Sequence, residues 1–171
     1  AYLDRIAQAV NGYAADYRCH IVLIGMEKLD AAACRDLSAQ LHHPHSTFLS
    51  RDYNAFALTA LLRNLSMLIS SRYHAVVLSL KHRLPVVAVS MDERLDNLMR
   101  ELELEQGYLY HVEDTHLSRA LSEALDRAEQ NRAAIAAQID RQMQYYYATV
   151  TDMAVFLKGY LLENLQCTNG M

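Results

Sequence analysis

Residues 64–90, NLSMLISSRYHAVVLSLKHRLPVVAVS, constrain the fold more than any other stretch of this chain. Two short apolar runs, Leu65–Ile69 and Val86–Val89, are rich in branched side chains and flank a helical pattern over about Tyr73–His82. Strands that are apolar without alternation are buried on both faces, which is the habit of parallel sheets covered by helices. In such a sheet the strand-to-helix junction lies at the carboxyl end of the strand, the edge where ligands bind. Here that junction reads Ser70-Ser71-Arg72-Tyr73-His74. The first helical N–H groups there lack intrahelical partners, and the helix dipole adds partial positive charge. Ser70 or Ser71 is expected to cap the helix, Arg72 offers a two-pronged donor, and His74 offers a proton near neutral pH. Together they make a receptor for a small phosphorylated carboxylate.

The rest of the chain repeats the strand–helix alternation. A helix over about Tyr2–Tyr17 leads to the apolar run His20–Gly25, and Asp30 is expected to cap a helix through about Leu41. Thr47–Ser50 is a short strand candidate, followed by a helix over Tyr53–Arg63. After the central segment come a charged helix capped by Asp92 (Asp92–Leu104), an edge strand over Gly107–Val112, and a helix opened by Asp114 or Thr115. The expected architecture is therefore α/β: a doubly wound, mostly parallel, Rossmann-like sheet followed by a long C-terminal helix. From about Gln130 to Glu163 the chain is helix-compatible for more than thirty residues. The triplet Tyr145, Tyr146 and Tyr147 marks either a packing corner or the point where this helix leaves its own domain.

Composition removes several classes of function. A net charge of −4 argues against a nucleic-acid surface, which needs clustered Lys and Arg. No apolar run is long enough for a membrane span, and no signal-peptide core is present. The 3 cysteines match no zinc or redox spacing, which is the pattern of reduced thiols in a cytoplasmic protein. Neither GxGxxG nor GxxxxGK[ST] occurs, so an anion must be held by side chains and a helix end rather than by a glycine loop. His42, His43 and His45 share a loop with Pro44 but lack acidic or thiol partners at ligand spacing, so no metal site is expected. Met67, Met91, Met99, Met143 and Met153 are expected to fill the core. The opening AYLDRIAQAVNGYAADYRC starts without Met inside a helical pattern, and the chain is expected to be part of a longer protein.

From Ser70 to Leu104, SSRYHAVVLSLKHRLPVVAVSMDERLDNLMRELEL resembles the polysaccharide pyruvyl transferase family. Members carry a strand, a Ser/Gly-x-Arg-Leu-His-Ala helix start, an apolar helix and a Gly-Val-Pro-Val-Val strand. Arg72 and His74 fall on the family's Arg-x-His pair and Pro85 on its proline. Arg83 stands where the family has Gly, and Met91-Asp92-Glu93-Arg94 where it has Tyr-x-Pro-Lys. The resemblance implies the C-terminal, donor-binding domain of a glycosyltransferase-B-type enzyme, cytoplasmic or peripheral at the inner membrane surface. It implies phosphoenolpyruvate as donor, a saccharide as acceptor, a pyruvate ketal on a cell-surface polysaccharide as product, and no cofactor. Residues 1–130 would then be the donor-binding domain. Residues 131–171 would be a helical extension packing on it or on a missing N-terminal domain.

On that resemblance Arg72 and His74 are the catalytic candidates. Ser70, Ser71, Tyr73, Ser90, Asp92 and Arg94 are the substrate-binding candidates. Tyr73 reads as packing more readily than as chemistry, and Asp92 reads at least as well as a simple cap. Helical residues two apart diverge by about 200°, so Arg72 and His74 converge only if Arg72 lies in the cap turn. Two competitors remain: a nucleotide-sugar glycosyltransferase domain, and a non-catalytic binding domain that kept the fold. Side chains locked in salt bridges would favour the latter.

Overall fold

The computed structural model describes residues 2–110 and 116–168. Helix α1 (Tyr2–Tyr17) precedes strand β1 (Ile21–Gly25), helix α2 (Asp30–Ser38) and strand β2 (His45–Leu49). Helix α3 (Ala55–Arg63), strand β3 (Leu68–Ser70), helix α4 (Tyr73–Leu80) and strand β4 (Val86–Ser90) follow. Helix α5 (Glu93–Glu101), strand β5 (Tyr108–Tyr110), helix α6 (Leu117–Gln130) and helix α7 (Arg132–Thr168) complete the chain. All pairing is parallel, but the strands form two hydrogen-bonded sheets rather than one: β1–β2, and β3–β4–β5 with β4 central.

Side-chain alternation along the strands builds a layer of helices on each face. Val87 and Val89 of β4 join Leu23 of β1 and the apolar stripes of α1 and α6 in one core. Val86 and Ala88 join Leu68 of β3, Val76 and Leu80 of α4, and Leu95 and Met99 of α5 in the other. Strand β4 is buried at every residue, which accounts for its unbroken apolar sequence. Each fully buried valine contributes about 1.5–3 kcal/mol, more than any exposed ion pair nearby.

Several boundaries differ from the sequence expectation for local reasons. Leu65 is not yet strand, because its N–H turns back to the Leu62 carbonyl at the end of α3, so β3 begins at Leu68. Asn54, whose side chain accepts the Ala57 N–H at 2.9 Å, starts α3 after a short 3-10 turn at Ser50–Asp52. Asp30 does not cap α2; its carboxylate faces back into the preceding loop. Met91 and Met153 are exposed rather than core, whereas Met99 is fully buried. Of the expected edge strand and the helix start after it, Val112, Asp114 and Thr115 lie outside the described residues.

Helix α7 has 37 residues, about 55 Å of helix, and only its first half is docked. Ile139 is buried, Met143 and Tyr146 pack on the same core, and the Tyr146 hydroxyl donates to Glu101 at 2.8 Å. Burial, aided by that hydrogen bond, pushes the Tyr146 phenol up to about 12. Beyond it Val150, Met153, Phe156, Leu157, Tyr160 and Leu161 are exposed. No helix among the described residues is long and apolar enough to cross a membrane.

Arg83, in the turn between α4 and β4, has φ 54°, the left-handed region that glycine occupies without strain. Its guanidinium reaches Asp140 of α7 at 2.7 Å, an exposed pair worth at most about 1 kcal/mol. Strain and ion pair therefore nearly cancel. Arg83→Gly is expected to be more stable than Arg83→Ala by roughly 1 kcal/mol in urea denaturation, since both lose the pair and only glycine relieves the strain. Equal stability of the two variants would refute this.

Candidate functional site

The carboxyl ends of β1, β3 and β4 meet at one edge, and each carries a device that fixes its loop. At the end of β3 the Ser70 hydroxyl accepts the Arg72 N–H at 3.0 Å. At the end of β4 Ser90 does the same for Asp92 at 3.0 Å, and the Ser90 hydroxyl also reaches the Ser71 carbonyl at 3.5 Å. Both serines are buried, and the Tyr108 hydroxyl donates to the Ser90 carbonyl at 2.9 Å. Neither Ser70 nor Ser71 caps α4: the cap position is Arg72 itself, in extended conformation, with no side-chain cap bond. Ser70 instead sets the turn that places Arg72 there, and Ser71 is exposed.

Arg72 is thus in the cap turn, and its guanidinium crosses to the end of β1. Nη2 lies 2.5 Å from Asp30 Oδ1, and Nη1 lies 3.3 Å from Glu27 Oε1. Asp30 is itself anchored, since Oδ2 accepts the N–H groups of Met26 at 3.0 Å and Glu27 at 2.9 Å. The Asp30 hydrogen bond, opposed in part by burial, raises the pKa of Arg72, which stays a cation throughout the working range. Gly25, which ends β1, is closely packed: a Cβ there would meet Leu49 Cδ2 at 2.8 Å. The strands of the two sheets are not paired with one another, and the Arg72–Asp30 bond ties the segment after β3 to the segment after β1.

Arg94 is built differently. Asp92 caps α5 by accepting the Arg94 N–H at 3.0 Å, and the same carboxylate takes Nε and Nη2 of Arg94 at 3.0 and 2.7 Å. The guanidinium carbon sits 5.5 Å from the Tyr73 ring centroid, within cation–π reach. Tyr73 packs on the core with its inner side and meets the His74 ring edge-on at 5.7 Å. His74 is exposed, and no hydrogen bond joins it to Arg72 among the described residues. Arg72, Tyr73, Ser90, Asp92 and Arg94 are therefore brought to one edge, while His74 stands beside Tyr73 without contacting Arg72.

Glu27 and Asp30 were invisible as site residues in the sequence. Asp30 matched a helix cap, and only its place after the glycine that ends β1 could have put it on this edge. His45, by contrast, is engaged in structure: its ring nitrogens bond Ser38 Oγ at 2.8 Å and the His43 carbonyl at 2.9 Å. Among the described residues no group of three His, Cys, Asp or Glu side chains is placed to hold a metal.

A sequence model described as polysaccharide pyruvyl transferase matches residues 1–93, a little over half of the chain. The chain belongs to the polysaccharide pyruvyl transferase family. No curated protein and no solved structure matches it. The family match spans β1 to β4, including Glu27, Asp30 and the Arg72-x-His74 pair, and ends one residue before Arg94. Family membership implies a transferase acting on a polysaccharide.

The Arg94 bonds hold the Asp92 carboxyl below its ordinary value. A depressed folded pKa contributes stability that is present above the unfolded value, about 3.9, and lost as pH falls through the folded one. Asn caps a helix nearly as well as Asp but does not titrate. Melting temperatures of wild type and Asp92→Asn measured between pH 2.5 and 6 are expected to differ at the upper end and converge below about pH 4. A gap unchanged by acid would contradict the pairing.

Proposed function

We propose that this chain is the donor-binding part of a glycosyltransferase-B-type pyruvyl transferase that moves the enolpyruvyl carbon of phosphoenolpyruvate onto two hydroxyls of a saccharide. The supporting observation is Arg72, held in the cap turn of α4 at a sheet edge that it shares with Arg94. Phosphoenolpyruvate presents a carboxylate and a phosphate on the same carbon, each suited to a planar guanidinium. Arg72 takes one of these anions and Arg94, stacked on Tyr73, takes the other. On this reading residues 1–130 form the donor-binding domain and 131–171 an extension of it, with Ser70, Ser71 and Ser90 shaping the loops.

The reaction balances with two protons. The methylene carbon gains one and becomes methyl, leaving an oxocarbenium-like centre that the first sugar hydroxyl attacks. Phosphate then leaves, carrying charge that the arginines stabilise, and the second hydroxyl closes the ketal. The two hydroxyl protons replace the one gained by carbon and supply the one taken up by phosphate. His74, exposed at the same edge, is the proton carrier at the carbon or at the leaving phosphate. Phe56, in the first turn of α3, and Tyr110, at the end of β5, are exposed and suit the apolar face of a sugar ring.

One observation favours a second reading, a non-catalytic binding domain: both arginines are already paired with carboxylates. Titration of phosphoenolpyruvate followed by amide NMR separates the two. Saturable shifts at residues 70–74 and 90–94, lost in Arg72→Ala, are expected. In the acceptor-dependent phosphate-release assay Arg72→Ala should lower the rate about a hundredfold. Shifts with a nucleotide sugar and none with millimolar phosphoenolpyruvate would transfer the site to the glycosyltransferase reading.

A further inference from the structure

The two carboxylates on Arg72 are not equivalent. Asp30 is bound on both oxygens, to Nη2 of Arg72 at 2.5 Å and to two backbone N–H groups, and its side chain is only 20% exposed. Glu27 touches Nη1 at 3.3 Å and its side chain is 57% exposed. The Glu27 backbone is tied to Asp30, its N–H donating to the carboxylate and its carbonyl accepting the Asp30 N–H, while its carboxylate has one loose contact, with Arg72. One half of the guanidinium is therefore braced and the other half is covered by a mobile-length side chain of the same chemistry as a ligand carboxylate.

We propose that Asp30 is a positioning residue for Arg72 and that Glu27 holds the place of the incoming anion, leaving Nη1 when the ligand's carboxylate or phosphate arrives. This rests on the reading of Arg72 as an anion receptor. A fixed brace lowers the ordering cost of binding, because the long arginine side chain is already in place. A loose carboxylate on the remaining prong raises the threshold: a weak monoanion competes poorly with Glu27, whereas a more highly charged anion displaces it. The ligand selected is thus an anion carrying more than one charge, and while the edge is empty the charge of Arg72 is more than offset by its two carboxylates.

The consequence is opposite in sign at the two positions. Glu27→Gln removes the competitor and is expected to tighten anion binding about threefold, the scale of a partly exposed ion pair. Asp30→Asn keeps an acceptor for the loop N–H groups but loses the charge, and is expected to weaken binding about tenfold. A purely structural Asp30 would not alter Arg72 itself, so the order parameter of the Arg72 Nε–H is the second readout. It should fall in Asp30→Asn and stay at the wild-type value in Glu27→Gln.

The experiment is an NMR titration of wild type, Glu27→Gln, Asp30→Asn and Arg72→Ala with inorganic phosphate and, separately, phosphoenolpyruvate. Tighter binding of both anions to Glu27→Gln and weaker binding to Asp30→Asn, with none to Arg72→Ala, is the expected result. If phosphate follows this order while phosphoenolpyruvate binds no variant, the placeholder stands and the proposed donor fails. If Arg72→Ala abolishes phosphoenolpyruvate binding but Glu27→Gln leaves it unchanged or weaker, the placeholder is overturned and the donor stands. An Arg72 order parameter unmoved by Asp30→Asn overturns the positioning role, and absence of all anion binding overturns both proposals.

Discussion

Burial of β4 on both faces is the constraint on which the rest of the molecule depends. Its residues feed two separate cores, Val87 and Val89 toward α1 and α6, Val86 and Ala88 toward α4 and α5. A strand so placed has to lie between two others or be covered at its edges, and β3 and β5 pair with it in parallel. Parallel pairing in turn requires helical crossovers, and each crossover begins at the carboxyl end of a strand. The strand-to-helix junctions that carry Arg72 and Arg94 are consequences of that requirement.

What those loops do with their charges follows from a different balance. The ion pairs of this edge are partly solvated and each is worth little to stability, on the order of 1 kcal/mol or less. Their contribution is geometric. Ser70 and Ser90 turn the chain immediately after β3 and β4, and Asp30 reaches over from the end of β1 to hold Arg72. The side chains are held by short-range hydrogen bonds to groups that the buried strands fix, so the rigid part of the molecule lends its order to the exposed part.

Helix α7 shows a second division between rigid and uncommitted surface. Its first half is tied down by Ile139, Arg83–Asp140 and Tyr146–Glu101, while Val150, Phe156, Leu157 and Tyr160 are exposed. The tyrosine triplet falls at this transition, with Tyr146 bonded inward and Tyr145 and Tyr147 exposed. Arg83, in the left-handed backbone region of its turn, belongs to the docked half. Its side chain makes a contact to α7, the ion pair with Asp140, that glycine could not.

The sequence by itself determined the order of elements, the parallel sense of the strands and the Arg72-x-His74 pair at a strand end. These are local or periodic properties: unbroken apolar runs, a 3.6-residue helical stripe, and residues a few positions apart. It also carried the family, through the same short segment. It left open the division of the strands into two sheets, because register between strands far apart in sequence is set by packing and not by any one run. Asp30 looked like a helix cap, since a carboxylate before an apolar stripe has the same local pattern whether it bonds forward or back. Only the tertiary structure, by setting the end of β1 beside the end of β3, decided that its partner is an arginine 42 residues away.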